Sequence, residues 1–600
     1  MNVFPTLKLT ICVILSLFIF QNVFAVPARS KPLKVMQPDG SMITLYVKGD
    51  ERFHTLVSEQ GYRVLEKTTG GYVYAIQDGT GNYIPSDFPV RNIHQHTGEE
   101  LLFLQSQQKI TDAVISRNRR KAGAINGGIL PGKFPPRVLV ILAEFQNVSI
   151  LNYEFVVPDP QQTFSDLFNQ EGYAYDGATG SVKDYFRDNS LGLYEPEFTV
   201  TGPVKLPRTK SYYGTNVQGV DKAPGAMIYD ACVALAETGT INFSDFDSDG
   251  DGEVDVVIVI YSGLSEADGA PEVNIWPIAG TLQELNPYEE DEIYPLMLDG
   301  VLINRFIASS ELRGATGTDI TGVGTVIHEM GHVLGLPDLY NTVTSNGGLL
   351  GWSLMANGTY LNEGRTPPAL SAFEREALGW GSPVELEIAG EYVLSSIETN
   401  HFYRINSEAI ETEYFLLENR QQTGWDSYLE GHGMLIYHID LSDPDAFYTN
   451  RVNADEAHPY VAIKVADGVL HQANYSGDPF PGTTGKNSFG DDTSPSSRLW
   501  DGTPLDKPVS DITETAGKIR FQFENHTSSV RESHTITHYY VANQMLYIET
   551  ESICPFVELY NGNGMKLGHY VLTEGRAEIT LSPGNFYILK IDSQRYKVIL

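Results

Sequence analysis

Two early stretches alternate apolar and polar positions with a period of two: Met42-Ile43-Thr44-Leu45-Tyr46-Val47 and Tyr72-Val73-Tyr74-Ala75-Ile76. Each is preceded by a turn-forming pair, Asp39-Gly40 or Gly70-Gly71. Alternation of this kind predicts half-buried strands, so the region after residue 25 reads as a small β-rich unit. From Val138 the pattern changes. The run Val138-Leu139-Val140-Ile141-Leu142 and residues 256–261 are continuously apolar, as expected of strands covered on both faces. Between them, Ser181-Val182-Lys183-Asp184-Tyr185-Phe186 predicts a capping box opening an amphipathic helix, and residues 226–236 predict a second helix. Strands and helices alternate to about Trp380. Beyond it come short β-prone runs, Tyr414-Phe415-Leu416-Leu417 and Met434-Leu435-Ile436-Tyr437, divided by Gly, Pro, Asn and Asp, which predict β-sandwich units.

The ends of the chain carry different signals. Lys8, the apolar stretch 9–20 and Val23-Phe24-Ala25 form an export signal with small residues for cleavage, predicting removal of residues 1–25. The stretch is shorter than the ~20 residues a spanning helix needs, and no later run approaches that length, so no transmembrane helix is expected in the mature chain. A polar stretch ending in Arg117-Asn118-Arg119-Arg120-Lys121, followed by the flexible run 122–128, predicts a processing linker. At 600 residues the chain exceeds what one core organises. The expected divisions are a signal at 1–25, a β-rich pro-segment and linker at 26–125, and a catalytic domain at 126–382. A β-rich extension at 383–526 and a terminal β-sandwich at 530–600 follow.

A formal charge of −35 repels polyanions and argues against nucleic-acid partners. Cys12 lies within the signal and lacks the preceding small residue that lipid attachment needs. Cys232 and Cys554 alone are too few for a disulfide scaffold.

The chemistry concentrates in Thr325-Val326-Ile327-His328-Glu329-Met330-Gly331-His332-Val333-Leu334-Gly335-Leu336-Pro337-Asp338, an HExxHxxGxxD pattern. On a helix His328 and His332 share a face and can converge on one cation, with Glu329 beside them. Val326, Met330, Val333 and Leu334 fall on the opposite face and are expected in the core. Gly335 should cap the helix and Pro337 should end it, so that the chain turns back and offers Asp338 as a third zinc ligand. A rival keeps the zinc but takes its third ligand from Glu374 or Glu376. In either case Glu329 is placed to take a proton from a zinc-activated water and pass it to a leaving amine. Upstream, Asp247-Ser248-Asp249-Gly250-Asp251-Gly252-Glu253-Val254-Asp255 has carboxylates at alternating positions and glycine at the sixth, as in a calcium loop. Asp247, Asp249, Asp251 and Asp255, with the Glu253 carbonyl, are the expected calcium donors. Ile258 stands where a complete EF-hand has Glu.

The HExxHxxGxxD segment, with Gly351-Trp352-Ser353-Leu354-Met355 and Leu378-Gly379-Trp380, resembles the immune inhibitor A family of secreted metallopeptidases, which are metzincin-like zincins. The resemblance extends to Gln37-Pro38-Asp39-Gly40 and Gly49-Asp50-Glu51-Arg52-Phe53-His54 in the pro-segment. It extends also to Leu417-Glu418-Asn419-Arg420 and residues 431–440 in the extension, where His438 and Asp440 are read as structural. It implies an α+β fold: a zincin domain with a mixed twisted sheet and an active-site helix, flanked by a β-rich pro-segment and C-terminal β-sandwiches. It further implies zinc-dependent hydrolysis of protein substrates, with Met355 as a non-ligating floor beneath the metal.

The final residues, including Leu581-Ser582-Pro583-Gly584-Asn585-Phe586-Tyr587-Ile588-Leu589-Lys590-Ile591, are similar to type IX secretion sorting domains of Bacteroidota. That resemblance implies a secretion-machinery partner and release from, or attachment to, the outer-membrane surface. Latency cannot use a cysteine, because residues 26–125 contain none. The competing reading is a non-catalytic adhesin with a zincin scaffold, and Glu329 speaks against it, since a structural site has no need of a general base.

Overall fold

The computed structural model describes residues 26–599 except 30, 51–52, 68–69, 78–82, 108, 111–132, 151–158, 218, 286–292, 345–346, 471–473, 527–535, 543–544, 551–555, 562–565, 573–575, 582–585 and 592–593. The export signal, the basic run 117–121, Cys12, Cys554 and the Pro583-Gly584 turn lie outside the described residues. The chain divides into two compact units, 1–525 and 526–600.

In the first unit a five-stranded sheet has the spatial order Ile278–Thr281, Arg305–Ser310, Val257–Tyr261, Arg137–Glu144, Glu197–Lys205. The last four strands are mutually parallel and Ile278–Thr281 runs antiparallel on the edge. Every residue of Val257–Tyr261 is buried, which is the reason its sequence shows no alternation. Successive side chains point to opposite faces. Val138, Val140, Leu142, Ile258 and Ile260 join one core with Val326, Met330 and Val333 of the helix Gly324–Val333. Leu139, Ile141, Val257 and Val259 join a second core with Met227, Ile228, Ala231 and Leu235 of the helix Pro224–Thr238. The sheet is therefore sandwiched, and the helix bearing the two histidines is fixed to it by its apolar face, as the sequence pattern requires.

The predicted capping box is present. Ser181 Oγ accepts from Asp184 N at 3.1 Å and Asp184 Oδ2 accepts from Ser181 N at 3.0 Å, starting the helix Val182–Asn189. In the β-rich N-terminal region, Met42–Asp50 pairs with both Leu33–Met36 and Phe53–Ser58, and Tyr72–Gln77 pairs with Val64–Glu66 and Tyr83–Pro89. After Trp380, Glu413–Arg420 and Gly433–Asp440 pair along their whole length in a five-stranded sheet. Both strands are buried throughout. Tyr414, Leu416, Leu435 and Tyr437 enter the same core as the helix Gly324–Val333, while Phe415, Leu417, Met434 and Ile436 fill a separate one.

The second unit contains a three-stranded sheet (Ile536–Ala542, Met545–Thr550, Arg576–Thr580) and a four-stranded one (Lys566–Val571, Phe556–Asn561, Phe586–Ile591, Gln594–Ile599). Leu546, Ile548, Val557, Leu559, Ile579 and Leu589 form its core. Among the described residues, no helix is long and apolar enough to cross a membrane.

Candidate metal centre

The helix Gly324–Val333 ends as its sequence suggests. Gly335 adopts φ +101°, and Leu336 N donates to Gly331 O at 2.9 Å, the six-to-one bond of a glycine-capped helix end. The chain reverses there and brings Asp338 under the two imidazoles.

His328 Nδ1 donates to Leu354 O and His332 Nδ1 to Leu336 O, each at 2.9 Å. With the Nδ1 protons committed to carbonyls, both Nε2 atoms present lone pairs. These lone pairs face each other at 3.2 Å, and Asp338 Oδ1 lies 3.3 Å from His328 Nε2 and 3.4 Å from His332 Nε2. Three ligand atoms thus converge in a fully buried space, a set that one cation at their centre would satisfy. Burial lowers the His332 pKa, which favours the neutral, metal-ligating form. Two neutral imidazoles and one carboxylate suit a zinc ion with a remaining open position.

Asp338 is held from a distance. Its N–H donates to Asn450 Oδ1 at 2.8 Å, and Asn450 Nδ2 donates to Asp338 Oδ2 at 2.6 Å. Asn453 Nδ2 supports the following residue by donating to Leu339 O at 2.9 Å. These asparagines orient the carboxylate as outer partners orient metal ligands elsewhere. No local pattern in the sequence points to them. Asn450 has φ +51°, a conformation that asparagine tolerates better than most residues, and this is its one distinguishing backbone feature.

Met355 is fully buried below the helix. A Cβ on Gly331 would stand 2.6 Å from Met355 Sδ, so the glycine between the two histidines is what lets the sulfur approach. Leu339 N donates to Met355 O at 2.7 Å, tying this turn to the Asp338 loop. The rival ligands are engaged elsewhere. Glu374 Oε1 accepts from Ser353 Oγ and Met355 N, and Glu374 Oε2 accepts from Ser371 N. Glu376 faces Arg404 and Tyr414.

Glu329, also buried, accepts from Val26 N through Oε1 at 3.0 Å. The contact is made by the N-terminal segment lying in the cleft. Trp276 Nε1 donates to Val26 O at 3.0 Å, Tyr360 Oη donates to Pro27 O at 2.8 Å, and Arg29 N donates to Ala267 O at 3.0 Å. Val26 thereby puts a backbone nitrogen where a general base would meet one.

The acidic loop contains a cation of the chain's own. Asp247, Asp249 and Asp251 bring their carboxylates together, and the Asp247 side chain accepts from Gly250 N, Asp251 N and Gly252 N at 2.8, 3.1 and 3.0 Å. Lys133 Nζ stands 2.8 Å from Asp251 and 3.4 Å from both Asp249 and Asp255. Asp255 also accepts directly from Ser248 N at 3.1 Å, and the half-buried Glu253 side chain lies near Lys133, Arg305 and Asn304. His438 bonds Glu413 at 2.7 Å and stacks on Trp500, and Asp440 pairs with His458 at 2.9 Å.

A family model described as the catalytic domain of the immune inhibitor A peptidase M6 matches residues 135–278 and 310–380. Immune inhibitor A of Bacillus thuringiensis subsp. alesti is 26% identical over 310 residues, covering 44% of this chain and 43% of the relative. The pre-pro-metalloprotease PrtV of Vibrio cholerae serotype O1 (strain M66-2) is 26% identical over 239 residues, covering 35% of this chain and 25% of the relative. The chain thus spans less than half the length of these curated relatives. The stretch that carries the imidazole pair, Asp338 and Met355 is the stretch that matches a peptidase M6 catalytic domain.

Proposed function

We propose that this chain is a secreted zinc-dependent endopeptidase made as a precursor, with His328, His332 and Asp338 holding the metal and Glu329 acting as general base. The observation that carries the reading is the convergence of two Nε2 lone pairs and one carboxylate oxygen at separations of 3.2 to 3.4 Å. When bound there, zinc supplies Lewis-acid polarisation of the scissile carbonyl and acidification of the attacking water. Glu329 receives the water proton and returns it to the leaving amine, whose position is mimicked by the Val26 nitrogen. Trp276 and Tyr360, which donate to the carbonyls of Val26 and Pro27, fix a substrate backbone on the same side of the cleft.

Residues 26–29 fill that position in the precursor, so latency follows from steric occupation and from engagement of the base. Export through residues 1–25 and cutting near residues 117–121 would precede activity. Calcium in the acidic loop would compete with the Lys133 ammonium for Asp249, Asp251 and Asp255. The terminal β-unit would serve type IX sorting to the outer surface, a reading supported by the resemblance of its final residues.

The test uses casein as a general substrate for the chain freed of its pro-segment. Hydrolysis should disappear in EDTA and return with zinc and calcium. Undiminished hydrolysis in EDTA would refute the metal mechanism.

A further inference from the structure

The N-terminal region docks on the catalytic region through cations. His54 is fully buried there, and both of its ring nitrogens face acceptors: Nδ1 lies 2.8 Å from Asp50 O, and Nε2 lies 3.0 Å from Glu266 Oε2 and 3.2 Å from Asn216 Oδ1. An imidazole in this setting carries two protons and has no lone pair for a metal. Burial alone would depress its pKa, but the charge and hydrogen bond of Glu266 lift it to about 10. Asn216 Nδ2 donates to both Glu266 oxygens at 2.9 and 3.2 Å, fixing the carboxylate. Asp221 brings a carboxylate oxygen within 4.8 Å of the same group. Trp276 N donates to Asp221 Oδ2 at 2.8 Å, whereas the buried Asp221 Oδ1 has no hydrogen-bond partner among the described residues. The Trp276 ring forms the floor, stacked on His54 with centroids 4.3 Å apart and planes inclined by 22°.

Two further cations repeat the pattern. Arg63 lies 3.7 Å from Glu272, and Arg29 lies 3.1 Å from Asp268 and 3.6 Å from Glu363. Nearby cations of the catalytic region already have partners. Arg313 and Arg365 face Glu363 at 3.5 and 3.8 Å, and Lys210, whose ammonium is bound to Leu264 O, acts on Asp221. Departure of the N-terminal region would leave Glu266 beside Asp221 without the imidazolium. Burial and the neighbouring Glu266 hold the Asp221 carboxyl well above its usual range, so Glu266 supplies the charge and Asp221 an acceptor oxygen, and a recess so lined, with an aromatic floor, favours a replacement cation over an apolar group.

The recess adjoins the cleft. The indole that stacks on His54 also donates its Nε1–H to Val26 O, and Val26 N is the group bonded to Glu329. Resting on the peptidase reading above, we propose that the recess of Glu266, Asp221, Asn216 and Trp276 receives a cationic substrate side chain one or two residues after the scissile bond. The preferred substrates are polypeptides with Lys, Arg or protonated His at that place, and His54 holds it in the precursor.

The test compares matched peptides that differ only by Lys or norleucine at the first or second residue after the cut. The enzyme is the full chain cleaved within residues 117–121 and separated from its N-terminal part. The lysine peptide should have a kcat/KM about tenfold higher at one of these positions, as expected of a charged hydrogen bond. In Glu266→Gln the ratio between the two peptides should fall to within about twofold. Hydrolysis with a ratio near one at both positions, or an unchanged ratio in the variant, would overturn the proposal. Fluorescence anisotropy of the same peptides on similarly cleaved Glu329→Ala separates this inference from the peptidase reading. Tighter binding of the lysine peptide without any turnover by the unaltered residue set would reject the peptidase and retain the recess, whereas equal binding would reject the recess.

Discussion

Glu329→Ala should lower casein hydrolysis by at least about a hundredfold while leaving the zinc content unchanged, the scale expected for loss of a general base. Glu329 shares the helix of His328 and His332 but stands outside the triangle of metal-facing donors. Its Oε1 instead lies 3.0 Å from Val26 N, a backbone nitrogen in the cleft. Truncating it would remove the proposed proton carrier and retain both imidazoles and Asp338. Zinc measured by atomic emission on the same samples assayed for hydrolysis checks both halves. Equal activity in the two proteins would overturn the assigned role, and loss of zinc would show that Glu329 belongs to the metal-holding set.

Cutting within residues 117–121 and removing the N-terminal part should raise casein hydrolysis by at least about a hundredfold, because the intact chain engages the same base. The blocking segment is held by more than one bond: Trp276 and Tyr360 donate to its carbonyls, and Arg29 pairs with Asp268. Its attachment is reinforced by the His54 imidazolium on Glu266. Hydrolysis rates before and after the cut, at equal zinc content, check the expectation. An intact chain as active as the cut one would contradict latency by these residues.

The helix, its cap and the position of Asp338 were legible because each depends on neighbours within a dozen residues. Spacing put the histidines on one face, Gly335 gave the reversal, and the apolar positions Val326, Met330 and Val333 identified the buried side. The buried strands Arg137–Glu144 and Val257–Tyr261 were legible for the same reason, as unbroken apolar runs. Partners brought together by topology left no such trace. Asn450 reaches Asp338 across 112 positions, Trp276 reaches Val26 across 250, and Val26 reaches Glu329 across 303. Lys133 shows a related limit. The alternating carboxylates from Asp247 onward suggest an ion, but spacing within the loop carries no sign that a lysine more than a hundred positions earlier supplies positive charge there. Gly331 is intermediate: its place between the histidines is visible in the sequence, whereas its purpose emerges from the approach of Met355 Sδ.

Anomalous diffraction across the zinc absorption edge from crystals of the full chain shows whether two imidazoles and one aspartate hold a single zinc ion. One strong peak is expected, bonded to His328 Nε2, His332 Nε2 and an Asp338 oxygen, and lost from crystals of Asp338→Ala. A zinc-loaded protein whose peak lies away from these three side chains would contradict it.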